Sequence, residues 1–567
     1  MTGYAQVNGC CTSRSKLDNS PNFLIIVADD LGWSDISPFG SEINTPNLQM
    51  LANNGIRFTD FHTASACSPT RSMLMSGTDN HIAGLGQMRE TIVLNPDIWL
   101  GKPGYEGYLN DRVAALPEIM QDAGYFTAMS GKWHIGNTHE RLPANRGFDE
   151  SFALLGGAAN HYFSKSTNAV LPSAYAHNFE YINYTSLEDF YSSDYFVTQL
   201  INALKHLQIL LLSIKECTTM VQLSYVKKRL AVQHQLGLLS ADAIVSPVYA
   251  NSEEWEKLTP SERAFSAKTM EIYAAMVERI DFSIGRVIDY LKESNQFENT
   301  FILFMSDNGA DGIDMENVSI LSPTQTNQSF NNSYENLGNK DSFIWYGPRW
   351  AQASTAPSRM TKGYITEGGI RCPAIVHYPK LDKTLNISHE FTTVMDILPT
   401  VLELANISHP GTVFRNRTVV TPKGKSWVSY LLNSDEHVHH VHMETDFTGW
   451  ELFGQRAIRR GNYKAIFIPN ESNTSKWELY DLSKDKGESI NLADQQEDVL
   501  KELIDAWFAY EVEMGIILPE DAWSVRYALT VSGSLGIQNN SSPIETNNNT
   551  MKYSYSSSTT TKTTGWN

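Results

Sequence analysis

Two stretches of the chain run apolar without interruption. Phe23-Leu24-Ile25-Ile26-Val27 and Phe301-Ile302-Leu303-Phe304-Met305 show the pattern of strands buried on both faces. Between them, apolar positions recur at helical spacing, as in Val113 to Gly124 and Thr269 to Lys292. Strands alternating with helices predict an α/β domain, a mostly parallel sheet flanked by helices, over residues 22–410. Val394 to Ala405 reads as its closing helix, stopped near Asn406 and Pro410. From about Val419 the pattern shortens. Trp450-Glu451-Leu452-Phe453, Tyr463-Lys464-Ala465-Ile466-Phe467-Ile468 and Trp477-Glu478-Leu479-Tyr480 are short strand candidates, followed by a helical stretch from Val499 to Glu513. They predict a smaller C-terminal α+β domain over 419–525, an antiparallel sheet plus a helix. Residues 1–21 are polar. Residues 532–567 are rich in Asn, Ser and Thr, with too few apolar side chains for a core, which predicts disorder.

Composition narrows the partners. At 567 residues and 41% hydrophobic, the chain can bury one large core and one small one. Its net charge of −19 repels nucleic-acid phosphates, so no nucleic-acid partner is expected. An anionic substrate would need a local basic pocket. No run of 18 apolar residues occurs, so no membrane span is expected. Cys10, Cys11, Cys67, Cys217 and Cys372 are too scattered for a disulfide framework or a zinc site. Met1 to Ser20 lacks the apolar core of a signal peptide, which favours the cytosol. Sequons at Asn183, Asn317, Asn327, Asn331, Asn386, Asn406, Asn416, Asn470 and Asn473 favour a secretory route instead.

Both buried strand candidates end in acidic pairs, Asp29-Asp30 and Asp307-Asn308. In an open α/β sheet, ligands gather at the carboxyl ends of strands. Three carboxylates and an amide oxygen converging there suit a hard divalent cation, Ca²⁺ or Mg²⁺. Either pair alone reads as loop or helix-cap residues. Between them lies Cys67-Ser68-Pro69-Thr70-Arg71, followed by the apolar Met73-Leu74-Met75. This places Cys67 at the start of a helix, where backbone N–H groups stabilise anions. A lone cysteine is otherwise a buried structural residue.

Cys-x-Pro-x-Arg is similar to the maturation signal of type I sulfatases, in which the cysteine is oxidised to formylglycine. The surrounding motifs strengthen the resemblance. Val27-Ala28-Asp29-Asp30-Leu31-Gly32 and Thr45-Pro46-Asn47-Leu48 lie upstream. Gly131-Lys132-Trp133-His134, Ser306-Asp307-Asn308-Gly309, Lys362-Gly363-Tyr364 and Glu367-Gly368-Gly369-Ile370-Arg371 lie downstream. The order and spacing match the family from about Asn22 to Leu518. Gly347-Pro348-Arg349-Trp350-Ala351 and Arg456-Ala457-Ile458-Arg459 resemble the bacterial and fungal arylsulfatase branch of the alkaline phosphatase superfamily.

The resemblance implies an alkaline-phosphatase-like fold and a sulfuric ester hydrolase acting on small sulfate esters. It implies one divalent cation, Ca²⁺ ahead of Mg²⁺, held by Asp29, Asp30, Asp307, Asn308 and formylglycine-67, and a formylglycine-generating maturation enzyme as partner. Arg71 and Lys132 match the cations that hold the formylglycine hydrate. His134 matches the histidine on its second hydroxyl, and Lys362 the lysine on the sulfate and leaving-group side. His161, after the turn Gly156-Gly157-Ala158-Ala159-Asn160, is a possible substrate-pocket residue. A phosphonate monoester or phosphodiester hydrolase of the same superfamily is the alternative activity, and a non-catalytic relative the alternative class.

One family feature is missing. Between Lys205 and Arg229 the family has a buried strand and then a Pro-His turn on the leaving-group side, where histidine can protonate the departing oxygen. Here 206–228 contains no match, and His206 and His234 only flank the gap. As written, the chain is expected to lack a strand and an acid there. A shifted reading frame across Ile214 to Lys228 can encode a family-like segment, which transcript sequencing would detect.

Overall fold

The computed structural model describes residues 20–522 apart from 160, 163–173, 183–189, 205–208, 214–221, 241, 245–254, 314–329, 382–384, 433–439, 471 and 473, together with 525. The polar N-terminal segment, save for its last residues, and the Asn-, Ser- and Thr-rich tail lie outside the described residues.

The first strand, β1 (Asn22–Ala28), is followed by β2 (Ile56–His62) and by helix α1 (Cys67–Ser76). Next come α2 (Leu116–Asp122), β3 (Phe126–Lys132), β4 (Glu150–Leu154), β5 (Tyr175–His177) and β6 (Glu180–Tyr181). Then follow α3 (Ser192–Leu204), β7 (Ile209–Ser213), α4 (Gln222–Gln235), α5 (Pro260–Glu293), β8 (Thr300–Ser306) and β9 (Arg371–His377). Two short strands, β10 (Ile387–Ser388) and β11 (Thr392–Thr393), precede α6 (Ile397–Leu404). The sheet order is β10-β2-β9-β8-β1-β7-β3-β4-β5-β6, with β11 also on β2. Its centre, β8-β1-β7-β3-β4, is parallel, whereas β9 and β5 run antiparallel to their neighbours.

Strand β1 shows why its sequence is continuously apolar. Phe23, Ile25 and Val27 enter one core with Met73, Leu74 and Trp427. Leu24, Ile26 and Ala28 enter the other, with Ile280, Ile284 and Val287 of α5. Alternate residues face opposite layers, so both sets must be apolar.

Three expectations are corrected. Helix α2 starts at Leu116 rather than Val113, because Pro117 is tolerated only in a first turn. Helix α5 starts at Pro260 rather than Thr269; its first turns are largely exposed and lack an apolar stripe. The overlooked signal was the capping box of Thr259 and Glu262 with Pro260 between them. The sheet does not lack a strand in the anomalous segment. Strand β7 lies between β1 and β3, with Leu210 opposite Phe23 and Ile209 opposite Phe126. The apolar run Ile209 to Ser213 has the pattern of a strand, whatever follows it. His206 and residues 214–221 lie outside the described residues, while His234 is in the last turn of α4.

The C-terminal sheet is an antiparallel meander of β12 (Phe447–Leu452), β13 (Gln455–Arg460), β14 (Tyr463–Phe467) and β15 (Glu478–Asp481). Leu503 and Trp507 of α7 (Glu497–Met514) pack on one face, against Ile458, Ala465 and Leu479. On the other face, Trp450, Ala457 and Ile466 meet Ile365 and Ile370 of the large sheet's domain.

Buried charges lock this junction. Glu367 accepts from Lys464 Nζ (2.8 Å) and pairs with His62 Nε2 (2.9 Å), and Lys464 also reaches Glu488 (2.8 Å). Asp60 accepts from Arg459 (2.8 Å) and Lys486. Asp60, His62 and Glu367 are close enough to share a metal ion, but the lysines and arginine already match their charge. Although burial opposes it, Lys464 and His62 hold the Glu367 carboxyl well below its ordinary range. Its contribution to stability is therefore present above pH ~4.3 and is lost as acid carries the pH down toward the depressed folded value. Replacing Lys464 with methionine removes the cation that Glu367 and Glu488 share, leaving Glu367 with His62 and Glu488 with Arg359. A loss of about 3–5 kcal/mol is expected, read as a lower midpoint in urea at pH 7.

Candidate active site

The register of β1 and β8 brings Asp29-Asp30 and Asp307-Asn308 together. Ala28 lies opposite Ser306, so Asp29 and Asp307 leave the sheet at the same level. The Asp307 N–H donates to the Ala28 carbonyl (3.0 Å), and the Asp30 N–H donates to Asp307 Oδ1 (3.2 Å). Asp30 has left-handed backbone, φ 59°, which aspartate tolerates better than most residues. Asn308 Nδ2 donates to Asp30 Oδ1 (2.8 Å). Its Oδ1 is left buried without a hydrogen-bond partner among the described residues. Burial pushes the Asp307 carboxyl upward, and the neighbouring Asp29 and Asp30 carboxylates add to the rise against the pull of Arg71 and Lys132.

Cys67 is the first residue of α1, as its sequence predicts. Ala66 before it is extended, Gly77 ends the helix in left-handed backbone, and all ten helical residues are buried. Cys67 Sγ lies 3.7 Å from Asp30 Oδ1. One ligand atom each from Asp29, Asp30 and Cys67 can lie within 4.8 Å of one another. Burial pushes the thiol up to about 12, outweighing the pull of Lys132 and Lys362. An unmodified Cys67 in this setting is a protonated thiol and a poor nucleophile.

The expected cations surround this group. Arg71 donates through Nε (3.1 Å) and Nη2 (2.6 Å) to Asp307 Oδ2, and through Nη2 to Asp29 Oδ1 (3.1 Å). Its Nη1 donates to the carbonyl of Lys132 (2.8 Å). Lys132, the last residue of β3, donates to Asp29 Oδ1 (2.7 Å). Lys362 Nζ spans Asp30 Oδ2 (2.7 Å) and Asp311 Oδ2 (3.1 Å). Its turn is tethered on both sides: the Lys362 N–H donates to the Ala310 carbonyl and the Gly363 N–H to the Ser65 carbonyl. The C-terminal sheet contributes Gln455, whose Nε2 donates to the Gly363 carbonyl (2.7 Å).

His134 follows β3 by two residues, in left-handed backbone at φ 56°. Its Nε2 lies 3.3 Å from Glu90 Oε1. The structure joins His161 to the start of α3, with its Nδ1 2.6 Å from Ser192 Oγ and its ring against Tyr191. Asp311 and Glu90 were not singled out from the sequence. Asp311 stands three residues after Asn308 on the same loop, a position that could have drawn notice. Glu90 is 44 residues before His134 and carries no local signal.

The sulfatase family model matches residues 21–407, and the model described as N-sulphoglucosamine sulphohydrolase, C-terminal, matches 359–508. The chain belongs to the sulfatase family. This sulfatase is 56% identical over 538 residues to an uncharacterized sulfatase of Schizosaccharomyces pombe, covering 90% of this chain and 96% of that one. It is 35% identical over 413 residues to an arylsulfatase of Klebsiella aerogenes, covering 68% and 87% respectively. Among solved structures it resembles Ps i-CgsB in complex with k-i-k-neocarrahexaose, at TM-score 0.59 and 21% identity, covering 90% and 97%. That likeness extends the sulfatase fold through the C-terminal sheet. The family and its members make the protein a sulfuric ester hydrolase. Among the described residues, no helix is long and apolar enough to cross a membrane.

Proposed function

We propose that this sulfatase hydrolyses small, aryl-type sulfate monoesters with a formylglycine hydrate, formed from Cys67, as nucleophile. The supporting observation is the placement of residue 67 at a buried helix start beside Asp29, Asp30, Asp307 and the unpartnered Asn308 Oδ1. That donor set is all oxygen apart from residue 67 and suits one hard cation, Ca²⁺ ahead of Mg²⁺. When bound, the cation would neutralise charge on the nucleophile and the sulfate oxygens. Four carboxylates, Asp29, Asp30, Asp307 and Asp311, face three cations, Arg71, Lys132 and Lys362. A dication turns that balance positive and so admits a sulfate monoanion.

Each side chain then has a task. Asp307 takes the proton from the attacking hydroxyl of the hydrate, whose oxygen bonds to sulfur as the ester S–O bond breaks, and the alcohol or phenol departs as its oxyanion and takes a proton from water. Arg71 and Lys132 hold the hydrate, and Lys362 stabilises the departing oxygen. His134 takes the proton of the second hydroxyl. That electron pair closes to the aldehyde and the C–O bond to sulfate breaks. Because α1 is wholly buried, the maturation enzyme must reach Cys67 before the fold closes.

The test is turnover of nitrophenyl sulfate beside a phosphonate monoester. A higher kcat/KM for the sulfate supports the proposal; preference for the phosphonate would move the protein to the alternative hydrolase activity.

A further inference from the structure

The proposed reaction needs His134 as a base with one ring nitrogen unprotonated, and its neighbours indicate which nitrogen that is. His134 Nδ1 is buried and without a hydrogen-bond partner among the described residues, while the ring's other nitrogen meets Glu90 Oε1. Only one nitrogen of a neutral imidazole carries a proton, and a carboxylate can only accept it. A proton on Nε2 thus leaves Nδ1 with its lone pair. Burial disfavours a second proton on the His134 ring, against the pull of Glu90.

Independent contacts fix both partners. A Cβ on Gly157 would come within 2.7 Å of His134 Cε1 and Nε2, so glycine there makes room for the ring edge that Glu90 engages. The chain leading to Glu90 is anchored to the C-terminal domain. Gln87 Nε2 donates to Glu451, the Phe453 N–H donates to Gln87 Oε1 (3.3 Å), and Met88 packs against the cluster of Ala66, Leu452 and Phe453. Arg89, next to it, donates to Asn137 Oδ1 (2.8 Å), beyond His134 on the same loop.

We propose that Glu90 is the positioning carboxylate of His134, accepting its Nε2 proton and presenting Nδ1 as the base that collapses the sulfated hydrate. The catalytic role rests on the formylglycine reading above; the pairing does not. In the step itself, Nδ1 takes the hydroxyl proton, the O–H pair becomes the aldehyde C=O, and the C–O pair leaves with sulfate. His134 is then an imidazolium facing the Glu90 carboxylate, which stabilises it until the proton passes to water.

Glu90 has a side-chain exposure of 52%, so removing it leaves no buried charge and its variants should fold. Two readouts test the proposal in the full-length, matured protein, with Glu90→Leu and the conservative Glu90→Gln. The first is ¹⁵N NMR of labelled imidazoles, with His134 assigned by comparison with His134→Ala. Wild type should show the Nε2–H tautomer alone; Glu90→Leu should show a mixture and a lower His134 pKa, with Glu90→Gln between them. The second is rapid-quench kinetics on nitrophenyl sulfate. First-turnover release of nitrophenol should hold within about 3-fold, while steady-state turnover falls roughly 10–1,000-fold and sulfate accumulates covalently on residue 67. Unchanged tautomer and pKa would overturn the pairing. Equal loss in first and later turnovers, without trapped sulfate, would overturn the role. A wild-type protein with no aldehyde at residue 67 would instead sink the formylglycine reading and this catalytic role with it, and the NMR readout would still decide the pairing.

Discussion

Serine in place of Cys67 is expected to abolish turnover while leaving the fold intact. The reason lies in the second half of the reaction. A formylglycine hydrate has two hydroxyls on one carbon, so the sulfated form can expel sulfate by closing to the aldehyde. A sulfated serine has no second hydroxyl and can be cleared only by attack of water. The Cys67→Ser protein should therefore stop at or before one sulfate per chain, with steady-state turnover down on the order of 10⁴-fold or more. The stability change should be small, because serine is close to cysteine in size and its hydroxyl can donate to Asp30 Oδ1, the atom facing Cys67 Sγ. Nitrophenol release with enzyme in excess, followed by the mass of the residue-67 peptide, checks both points. Sustained turnover by Cys67→Ser would show that the aldehyde is not the source of the nucleophile.

The next largest effect is expected at Asp307. This carboxylate is fully buried, takes two N–H groups of Arg71 and receives the Asp30 N–H. In Asp307→Asn, Arg71 keeps only Asp29 as a charged partner, a change worth about 3–5 kcal/mol when a buried pair is broken. Relief of repulsion among the carboxylates offsets part of that loss. The functional loss should be greater, because the proposed reaction uses Asp307 both as the base for the attacking hydroxyl and in the donor set. Ca²⁺ at 100 times its dissociation constant should stabilise the chelator-treated wild type by about 2.7 kcal/mol, whereas Asp307→Asn should show little of that shift. Activity of the wild type should disappear with chelator and return with Ca²⁺ more fully than with Mg²⁺. An equal calcium shift in both proteins would place the cation elsewhere.

What the sequence disclosed follows from the range of each interaction. Strands β1 and β8 were visible because burial on both faces removes every polar position from them. Strand β13 escaped notice because Gln455, Arg456, Arg459 and Arg460 mask it. Arg459 is buried, and its charge is met by Asp60 on β2, a partner 399 positions away. Strand β7 is obscured in the sequence because the expected motif after it is absent, although it pairs with β1 and β3. The site divides in the same way. Asp29, Asp30, Cys67, Arg71, Lys132, His134, Asp307, Asn308 and Lys362 stand in contiguous motifs, so the local sequence marks them as candidates. Glu90 and Asp311 meet His134 and Lys362 through tertiary contacts alone, and only the fold reveals them.

The chemistry proposed for this site depends on the chemical identity of residue 67. The most direct measurement is peptide mass spectrometry of that residue in protein purified from its native host, with an aldehyde-reactive hydrazide as confirmation. The expected result is a peptide carrying formylglycine at position 67, which captures the hydrazide. A peptide that retains the thiol throughout, in protein that still hydrolyses sulfate esters, would contradict it.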